Sequence, residues 1–184
     1  YKSQEVSTVR DAIGDLPKLF PINYDIKFEG KRTSYTLPEP FVCNHIGRWH
    51  SERDKKVFKL LTQDIESGRN EYTSTQSLRA LYKEITGRDS NVHKYYVLRW
   101  NQPSNLIPAH LYKDGLRHIH PDSQQARTIT VREAARLQTF SDDYNFLGSN
   151  TETYKMIGNA VPPLFSQKLA LAIKEFLEKY SNII

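Results

Sequence analysis

The stretch "TITVREAARLQTF", residues 128–140, constrains the fold more than any other part of this 184-residue chain. Thr130 is followed three residues later by Glu133. At this spacing each side chain accepts a hydrogen bond from the free backbone N–H of the other residue, and such a capping box sets the first residue of a helix. The spacing predicts a compact helix from Val131 to Phe140, which the polar turn residues of "SDDYNFLGSN" end.

The stretch "KMIGNAVPP", residues 155–163, has the composition of a tight turn that leads into a helix. Gly158 permits backbone conformations that most residues resist. Pro162 and Pro163 suit a first helical turn, where a missing N–H costs nothing. We therefore predict a C-terminal amphipathic helix, with Asn159 as a candidate cap and with an apolar stripe formed by Leu164, Leu169, Ile173, Phe176 and Leu177.

Upstream, helical stretches alternate with irregular ones. "STVRDAIGDLPKL" predicts a short helix capped by Ser7 or Thr8, whereas "FPINYDIKFEGKRTSYTLPEPF" contains several breakers and reads as a loop. Apolar residues at helical spacing predict two more helices, at "SERDKKVFKLLTQDIESG" and "STQSLRALYKEITG". "HKYYVLRW" predicts a strand, and the Asp114-Gly115 pair is a hairpin signal. The pattern is typical of an α+β fold without internal repeats.

The composition is that of a water-soluble protein, with 38% hydrophobic and 26% charged residues. The length fits one domain, or one domain plus part of another. No apolar run approaches the roughly 20 residues that a bilayer crossing needs, and "YKSQEVSTVRD" lacks the apolar segment of a signal peptide. The single cysteine, Cys43, cannot form an internal disulfide, so we expect a reducing cytoplasm.

Basic and aromatic residues occur together in this chain. The formal net charge is +5, the isoelectric point is near 9.2, and there are 11 Tyr, 8 Phe and 2 Trp residues. Such a mixture suits a surface that holds phosphates and stacks or wedges against bases. An ordinary aromatic core, with a charge excess that serves only solubility, would give the same composition. Composition alone therefore leaves a nucleic-acid partner open.

The last third of the chain resembles the ninth and tenth conserved motifs of the DNA cytosine-5 methyltransferases. The blocks are "RTITVREAARLQTFSDDYNFLGS" and "YKMIGNAVPPLFSQKLALAI", in the family order and at a family-like distance. "LRWNQPSNLIPAHLYKDGLRHIHP" is similar to the end of the family's target recognition domain, although Leu106 stands where the family commonly has Thr. "TVRDAIGDLP" is similar to the linker that follows the eighth motif.

The resemblance implies the C-terminal part of such a methyltransferase. Residues 1–44 would be a linker from the catalytic domain, 45–126 a small mixed target recognition domain, and 127–184 the helices that complete a Rossmann-like methyltransferase domain. The family's glycine-rich cofactor turn, Pro-Cys-Gln nucleophile loop and Glu-Asn-Val segment do not occur in this sequence, and no proline precedes Cys43. We therefore expect no catalytic residue and no activity in the chain alone, whether it is the small subunit of a split enzyme or a fragment of a longer chain.

The resemblance also implies which residues serve the cofactor and the architecture. The tenth motif completes the S-adenosyl-L-methionine pocket in the family, which implies cofactor contacts by Asn159, Ala160 and Val161. The Asn159 amide both donates and accepts, and a helix N-terminus favours a carboxylate. The alternative is a plain loop-to-helix turn. The ninth motif implies a structural set that holds the recognition domain against the catalytic domain, formed by Thr130, Arg132, Glu133, Arg136 and Gln138.

The middle segment of the family reads the target sequence in double-stranded DNA, through polar side chains at base edges and cations at phosphates. Polar residues near the predicted turns are the candidate contacts: Arg99, Asn101, Gln102, Ser104, Asn105, His110, Lys113, Arg117 and Arg127. Each could equally be a solvated loop residue, and Arg127 could equally belong to the structural motif. His118 and His120 alternate like strand neighbours, but no third ligand is suitably spaced and we assign no metal.

The leading hypothesis is the target-reading and cofactor-completing part of an enzyme that methylates C5 of a flipped cytosine in a specific duplex site. A bacterial source and a restriction-modification setting fit this reading. The alternative is a non-catalytic DNA-binding or regulatory module derived from such an enzyme. "GNAVPP" discriminates between them, because a pure DNA binder needs no turn that closes a cofactor pocket. No feature demands an RNA substrate.

Overall fold

The computed structural model describes residues 6–113 and 115–180. Its elements, in chain order, are α1 (Val9–Ile13), β1 (Pro21–Phe28), β2 (Lys31–Tyr35), α2 (Glu52–Glu66), α3 (Thr75–Thr86), a 3-10 turn (Gly115–Arg117), α4 (Val131–Leu137), α5 (Asn150–Asn159) and α6 (Pro163–Tyr180). β1 and β2 form an antiparallel two-stranded sheet, so the α+β prediction is confirmed. Among the described helices, none combines the length and the apolar character that crossing a membrane requires.

Side-chain caps explain where the helices begin. At α4, Thr130 Oγ1 accepts from Glu133 N at 3.2 Å and Glu133 Oε2 accepts from Thr130 N at 2.7 Å, which confirms the predicted capping box. Thr8 caps α1 through a second capping box. α4 ends at Leu137 rather than at the predicted Phe140, because Thr139 has a positive φ of 66° and interrupts the helix.

Two predictions upstream of α4 were wrong. The stretch predicted as a loop forms the β1–β2 hairpin, which closes at Glu29 and Gly30, both with positive φ as a two-residue hairpin turn requires. The stretch predicted as a strand, "HKYYVLRW", makes only an isolated bridge between Val97 and Ile119. Asp114 of the predicted hairpin signal lies outside the described residues, and Gly115–Arg117 form the 3-10 turn.

Three short paired segments, 96–98, 118–120 and 127–129, separate two apolar clusters. Leu98 N donates to Ile119 O at 2.9 Å, and Ile129 N donates to His118 O at 3.0 Å. Successive side chains of extended backbone point to opposite sides. Accordingly, Val97 belongs to a cluster with α2 and α3, whereas Leu98 belongs to a cluster with α1, α4 and α5.

The cluster around α1, α4 and α5 draws on the whole chain. It contains Val9 from the first predicted segment, Leu98 and Ile107 from the second, and Val131 and Ile157 from the third. The division at residues 44 and 126 stays a prediction, and the apolar core crosses both boundaries. α4 and α5 therefore pack with the predicted recognition segment around one core, whereas α6 contributes no buried residue.

α5 takes the place of the predicted tight turn. Lys155 to Asn159 are its last five residues, and a capping box of Ser149 and Glu152 begins it. Gly158 has a helical backbone conformation, so glycine is needed here because it lacks a side chain and not because of its φ and ψ angles. A Cβ at this position would lie 2.2 Å from Pro108 O and 2.6 Å from Ala109 Cα. Only glycine allows the backbones of α5 and of residues 108–109 to approach this closely.

We predict that Gly158→Ala destabilises the protein by about 1–3 kcal/mol, as overpacking of a close contact does. Alanine is the better helix former by up to about 1 kcal/mol, but the Cβ would meet backbone atoms that cannot rotate away. Lys155→Ala, an exposed substitution on the same helix, should leave the free energy of unfolding nearly unchanged. Urea unfolding of both variants measures this, and an unchanged or raised stability of Gly158→Ala would contradict the close-approach explanation.

Candidate functional site

The tenth-motif turn joins α5 to α6 at the surface. Asn159 is the last residue of α5 and is exposed, Ala160 is extended with φ −76° and ψ 145°, and Val161 is 61% exposed. Asn159 therefore does not cap α6, contrary to the alternative raised from the sequence. The exposed Asn159 amide can both donate and accept hydrogen bonds, which fits contact with a polar ligand such as S-adenosyl-L-methionine.

The end of α4 supports this turn from behind. Gln138 is 8% exposed, and its Nε2 donates to Ile157 O at 3.1 Å and to Ala160 O at 3.5 Å. Thr139 Oγ1 accepts a hydrogen bond of 3.1 Å from Leu164 N, in the first turn of α6. The ninth and tenth motifs are thus in direct contact through side chain–backbone hydrogen bonds.

A buried ion pair lies at the start of α4. Arg127 Nη1 donates to Glu133 Oε2 at 2.7 Å and Arg127 Nη2 donates to Glu133 Oε1 at 2.6 Å, with both side chains 1% exposed. Gln125 Oε1 accepts two further bonds from the same guanidinium. Burial alone would raise the pKa of Glu133, but the nearby Arg127 charge outweighs burial and holds this pKa below its ordinary value. The structure corrects the assignment of Arg127 as a candidate DNA contact, because its guanidinium is buried and donates its hydrogen bonds to groups within the protein.

The two arginines of α4 bind neighbouring loops. The Arg132 side chain is 1% exposed and donates to Cys43 O at 3.0 Å and to Tyr144 O at 3.0 Å. Arg136 forms ion pairs with Asp15 and Asp142, next to α1 and after α4 respectively. The hydrogen bonds to Asp142 and Asp15 raise the pKa of Arg136 against the smaller effect of burial, so it remains charged. These contacts all lie within this chain, and a role of α4 in holding the recognition domain against a catalytic domain stays a prediction.

The candidate DNA contacts fall into groups rather than into one cleft. Arg99, Asn101 and Gln102 line a cleft of about 310 Å³. Asn105, His110 and Arg117 line a separate cavity of about 380 Å³. Ser104, together with Asn105, lines a third cavity, of about 300 Å³, beside the end of α4. Lys113 lies outside all three, exposed, with its Nζ 5.4 Å from the Tyr112 ring centroid.

The clefts also contain residues that the sequence had not singled out. Arg10 from α1 lies over the Trp100 ring at 5.0 Å, and its Nε donates to Asn101 Oδ1 at 3.3 Å. His93 lines the cavity of Arg117, and burial and the Arg117 charge lower the pKa of His93. No local signal marks Arg10 or His93, because each reaches its group through tertiary packing. By contrast, the start of α5 could have been predicted from the sequence, because Ser149 and Glu152 have the three-residue spacing of a capping box.

His118, His120 and Cys43 contact other groups within the protein. His118 Nε2 lies 3.2 Å from Leu106 O, and His120 Nδ1 accepts from Asp122 N at 3.2 Å. The part of the chain that the structure describes contains no group of three or more His, Cys, Asp or Glu that could hold a metal ion. Cys43 Sγ donates to Asn145 Oδ1 at 2.9 Å.

We predict that Glu133→Gln destabilises the protein by about 3–5 kcal/mol, since it leaves the charge of Arg127 buried without a counter-charge. Asp142→Asn is the matched control, because Asp142 is 50% exposed in its ion pair with Arg136, and exposed pairs are worth about 1 kcal/mol or less. Urea unfolding at neutral pH compares the two. Equal losses would show that the buried pair has no special role.

A second prediction concerns His50, whose Nε2 lies 3.0 Å from Thr128 Oγ1. Burial lowers the pKa of His50 from 6.5 to about 3. Between these pH values the unfolded state holds one more proton, so this group lowers stability by about 1.4 kcal/mol for each unit that the pH falls. His50→Gln should flatten the pH dependence of the free energy of unfolding by that amount between pH 5.5 and 4. Identical slopes would contradict a half-buried His50 that stays neutral in the folded state.

Comparison with known proteins identifies a family for this chain. The C-5 cytosine-specific DNA methylase family model matches residues 2–175. The type II methyltransferase M.Bpa9945I of Bacillus paralicheniformis is 33% identical over 92% of this chain and 41% of its own length. M.AgeI of Thalassovita gelatinovora is 45% identical over 86% and 37%, respectively, and DNA (cytosine-5)-methyltransferase 3 of Arabidopsis thaliana is 33% identical over 92% and 12%.

This chain spans about two fifths of the length of the bacterial relatives and about an eighth of the plant enzyme. The family-model match begins near the N-terminus of the chain and includes both the ninth-motif helix and the tenth-motif turn. The chain belongs to the C-5 cytosine-specific DNA methylase family.

Proposed function

We propose that this chain is the target-reading and cofactor-completing part of a DNA cytosine-5 methyltransferase. The observation that carries the proposal is the exposed Asn159–Val161 turn, held from behind by Gln138 and followed by a helix whose apolar side chains are uncovered. A turn of this kind has a use only where another segment completes the pocket. We further propose a cytoplasmic bacterial setting, in which the relatives' names point to restriction-modification systems.

The reaction divides the work between two parts. Methylation at C5 of cytosine needs a nucleophile, a methyl donor and a base that has left the stack, because the target atom is not accessible inside a duplex. The sequence contains neither the Pro-Cys-Gln loop nor the glycine-rich turn of the family. We assign these to a catalytic segment, which is either the preceding part of a longer chain or a separate subunit. S-adenosyl-L-methionine would supply the methyl group when bound there.

Helix α6 is the surface on which we place the catalytic segment. All of its residues are exposed, including Leu164 at 52%, Ile173 at 51% and Phe176 at 60%. Its apolar residues extend beyond the predicted stripe to Phe165 and Leu171, which are also more than half exposed. An amphipathic helix normally buries its apolar face against the rest of its protein. Covering α6 would complete the Rossmann-like domain that the resemblance implies.

Double-stranded DNA is the proposed substrate. The clefts near Trp100 and near His93 present cationic and amide side chains at the surface, Arg99 and Asn101 in one and Arg117 and Asn105 in the other. Cations hold phosphates without regard to sequence, and amides read base edges. The net charge of +5 has the sign that attracts the duplex. Arg127 is not part of this surface.

Mixing the chain with a catalytic segment of its family tests the proposal. The segment carries the Pro-Cys-Gln and glycine-rich motifs, and the substrates are tritiated S-adenosyl-L-methionine and duplex DNA. We expect label transfer to DNA by the mixture and none by either part alone. Label transfer by the isolated chain would refute the proposed division of work. DNA binding with no transfer by the mixture would favour the non-catalytic DNA-binding module instead.

In the same mixture, Asn159→Ala should weaken cofactor binding about 2- to 10-fold, the loss expected for one or two hydrogen bonds. DNA binding should not change, because Asn159 lies in none of the clefts that contain the candidate DNA contacts. Lys155→Ala, another exposed position of α5, is the control. Equal cofactor affinity of the Asn159→Ala and Lys155→Ala variants would count against cofactor contact by the turn.

A further inference from the structure

Two consecutive residues after α4 contact the two ends of the tenth-motif turn. Gln138 Nε2 donates to Ile157 O at 3.1 Å and to Ala160 O at 3.5 Å, on the α5 side. Thr139 Oγ1 accepts from Leu164 N at 3.1 Å, on the α6 side. We call Gln138 and Thr139 the turn clamp.

The clamp binds backbone groups at the two helix ends: Leu164 N has no partner within its own helix, and Ile157 O also accepts a hydrogen bond of 3.2 Å from Ala160 N. The last carbonyl groups of a helix and its first N–H groups have no partner within the helix. Ile157 O and Ala160 O lie at the end of α5, and Leu164 N lies at the start of α6, where Pro162 and Pro163 have no N–H to offer. Each side of residues 160–162 is therefore tied to the same short segment by a side chain.

Thr139 holds an unusual backbone conformation to do this. Its φ is 66°, in the left-handed region that β-branched residues rarely adopt. Such a conformation persists only where the surrounding contacts determine it, and here Thr139 N donates to Arg136 O at 2.9 Å and Phe140 N donates to Ala135 O at 2.9 Å. In this conformation the Thr139 hydroxyl lies against the first turn of α6, where it accepts the hydrogen bond from Leu164 N.

The base of the clamp is rigid. α4 begins at the capping box and the Arg127–Glu133 ion pair, and Arg132 fastens it to the loops around Cys43 and Tyr144. On the opposite side, Gly158 rests directly on the backbone of Pro108. The turn is thus fixed relative to the core while Asn159 and Val161 remain exposed.

We propose that Gln138 and Thr139 are positioning residues for cofactor binding, which hold Asn159–Val161 in the conformation that S-adenosyl-L-methionine meets. The inference rests on the proposed function, because it assigns the supporting residues of the same turn. A turn that is already ordered loses less conformational freedom when it binds, so its ligand binds more tightly. Neither residue needs to touch the cofactor.

The test uses the enzyme assembled with its catalytic segment and measures the Kd of S-adenosyl-L-homocysteine by calorimetry. Thr139→Val keeps the shape of the side chain but removes the accepting hydroxyl, and Gln138→Met removes the donating amide. Each should raise the Kd about 3- to 10-fold, within the range that the loss of one hydrogen bond gives. Thr139→Ser retains the hydroxyl and should bind within about twofold of the unchanged enzyme.

Kinetics and controls separate positioning from general damage. We expect the clamp variants to raise KM for S-adenosyl-L-methionine, with kcat at saturating cofactor and the Kd for DNA unchanged. The exposed substitutions Thr151→Val and Gln124→Met are the matched controls and should behave like the unchanged enzyme. Melting temperatures confirm that each variant is folded at the assay temperature.

Several outcomes would overturn the inference. If the clamp variants bind the cofactor normally while Asn159→Ala does not, the clamp is wrong and the proposed function stands. If Thr139→Ser is as weak as Thr139→Val, or if DNA affinity falls together with cofactor affinity, the residues support the fold in general and not the turn. If the unchanged assembled enzyme binds no cofactor, the proposed function fails and the inference fails with it.

Discussion

The carboxylate of Glu133 is the point on which the described structure depends. It accepts both ends of the Arg127 guanidinium, it accepts the backbone N–H of Thr130, and Oε1 lies 3.5 Å from His120 Nε2. A single buried charge thus joins the start of α4 to two of the three paired segments. Buried ion pairs contribute little net stability, but removing one partner costs much. The pair therefore disfavours any packing of the chain that separates Arg127 from Glu133.

Helix α4 runs from the Glu133 carboxylate to the surface, and its side chains hold the neighbouring segments in place. Arg132 and Arg136 bind the loops on either side, so the helix cannot rotate relative to the core. Gln138 and Thr139 then reach the turn between α5 and α6. The buried polar groups at the start of α4 find their partners within the chain, whereas the tenth-motif turn and α6 face outward. This distribution suits a part that presents a finished surface to a larger enzyme.

Local signals predicted the beginnings of helices well. Capping depends on residues three positions apart, so Thr130 with Glu133 located α4 from the sequence alone. The same signal at Ser149 and Glu152 was present for α5, where the glycine and prolines that follow favoured a turn instead. The hairpin at Glu29-Gly30 was missed because glutamate is not a usual residue at a positive φ.

The sequence by itself determined the family motifs, the α+β class and the residues of the tenth-motif turn, because these are properties of neighbouring residues. Only the tertiary structure decided that Arg127 is enclosed, that Gly158 serves close packing against Pro108, and that Gln138 supports the turn. Each of these facts depends on which distant segments meet. Burial and hydrogen-bond partners arise from packing of the whole chain, and spacing along the sequence does not encode them directly.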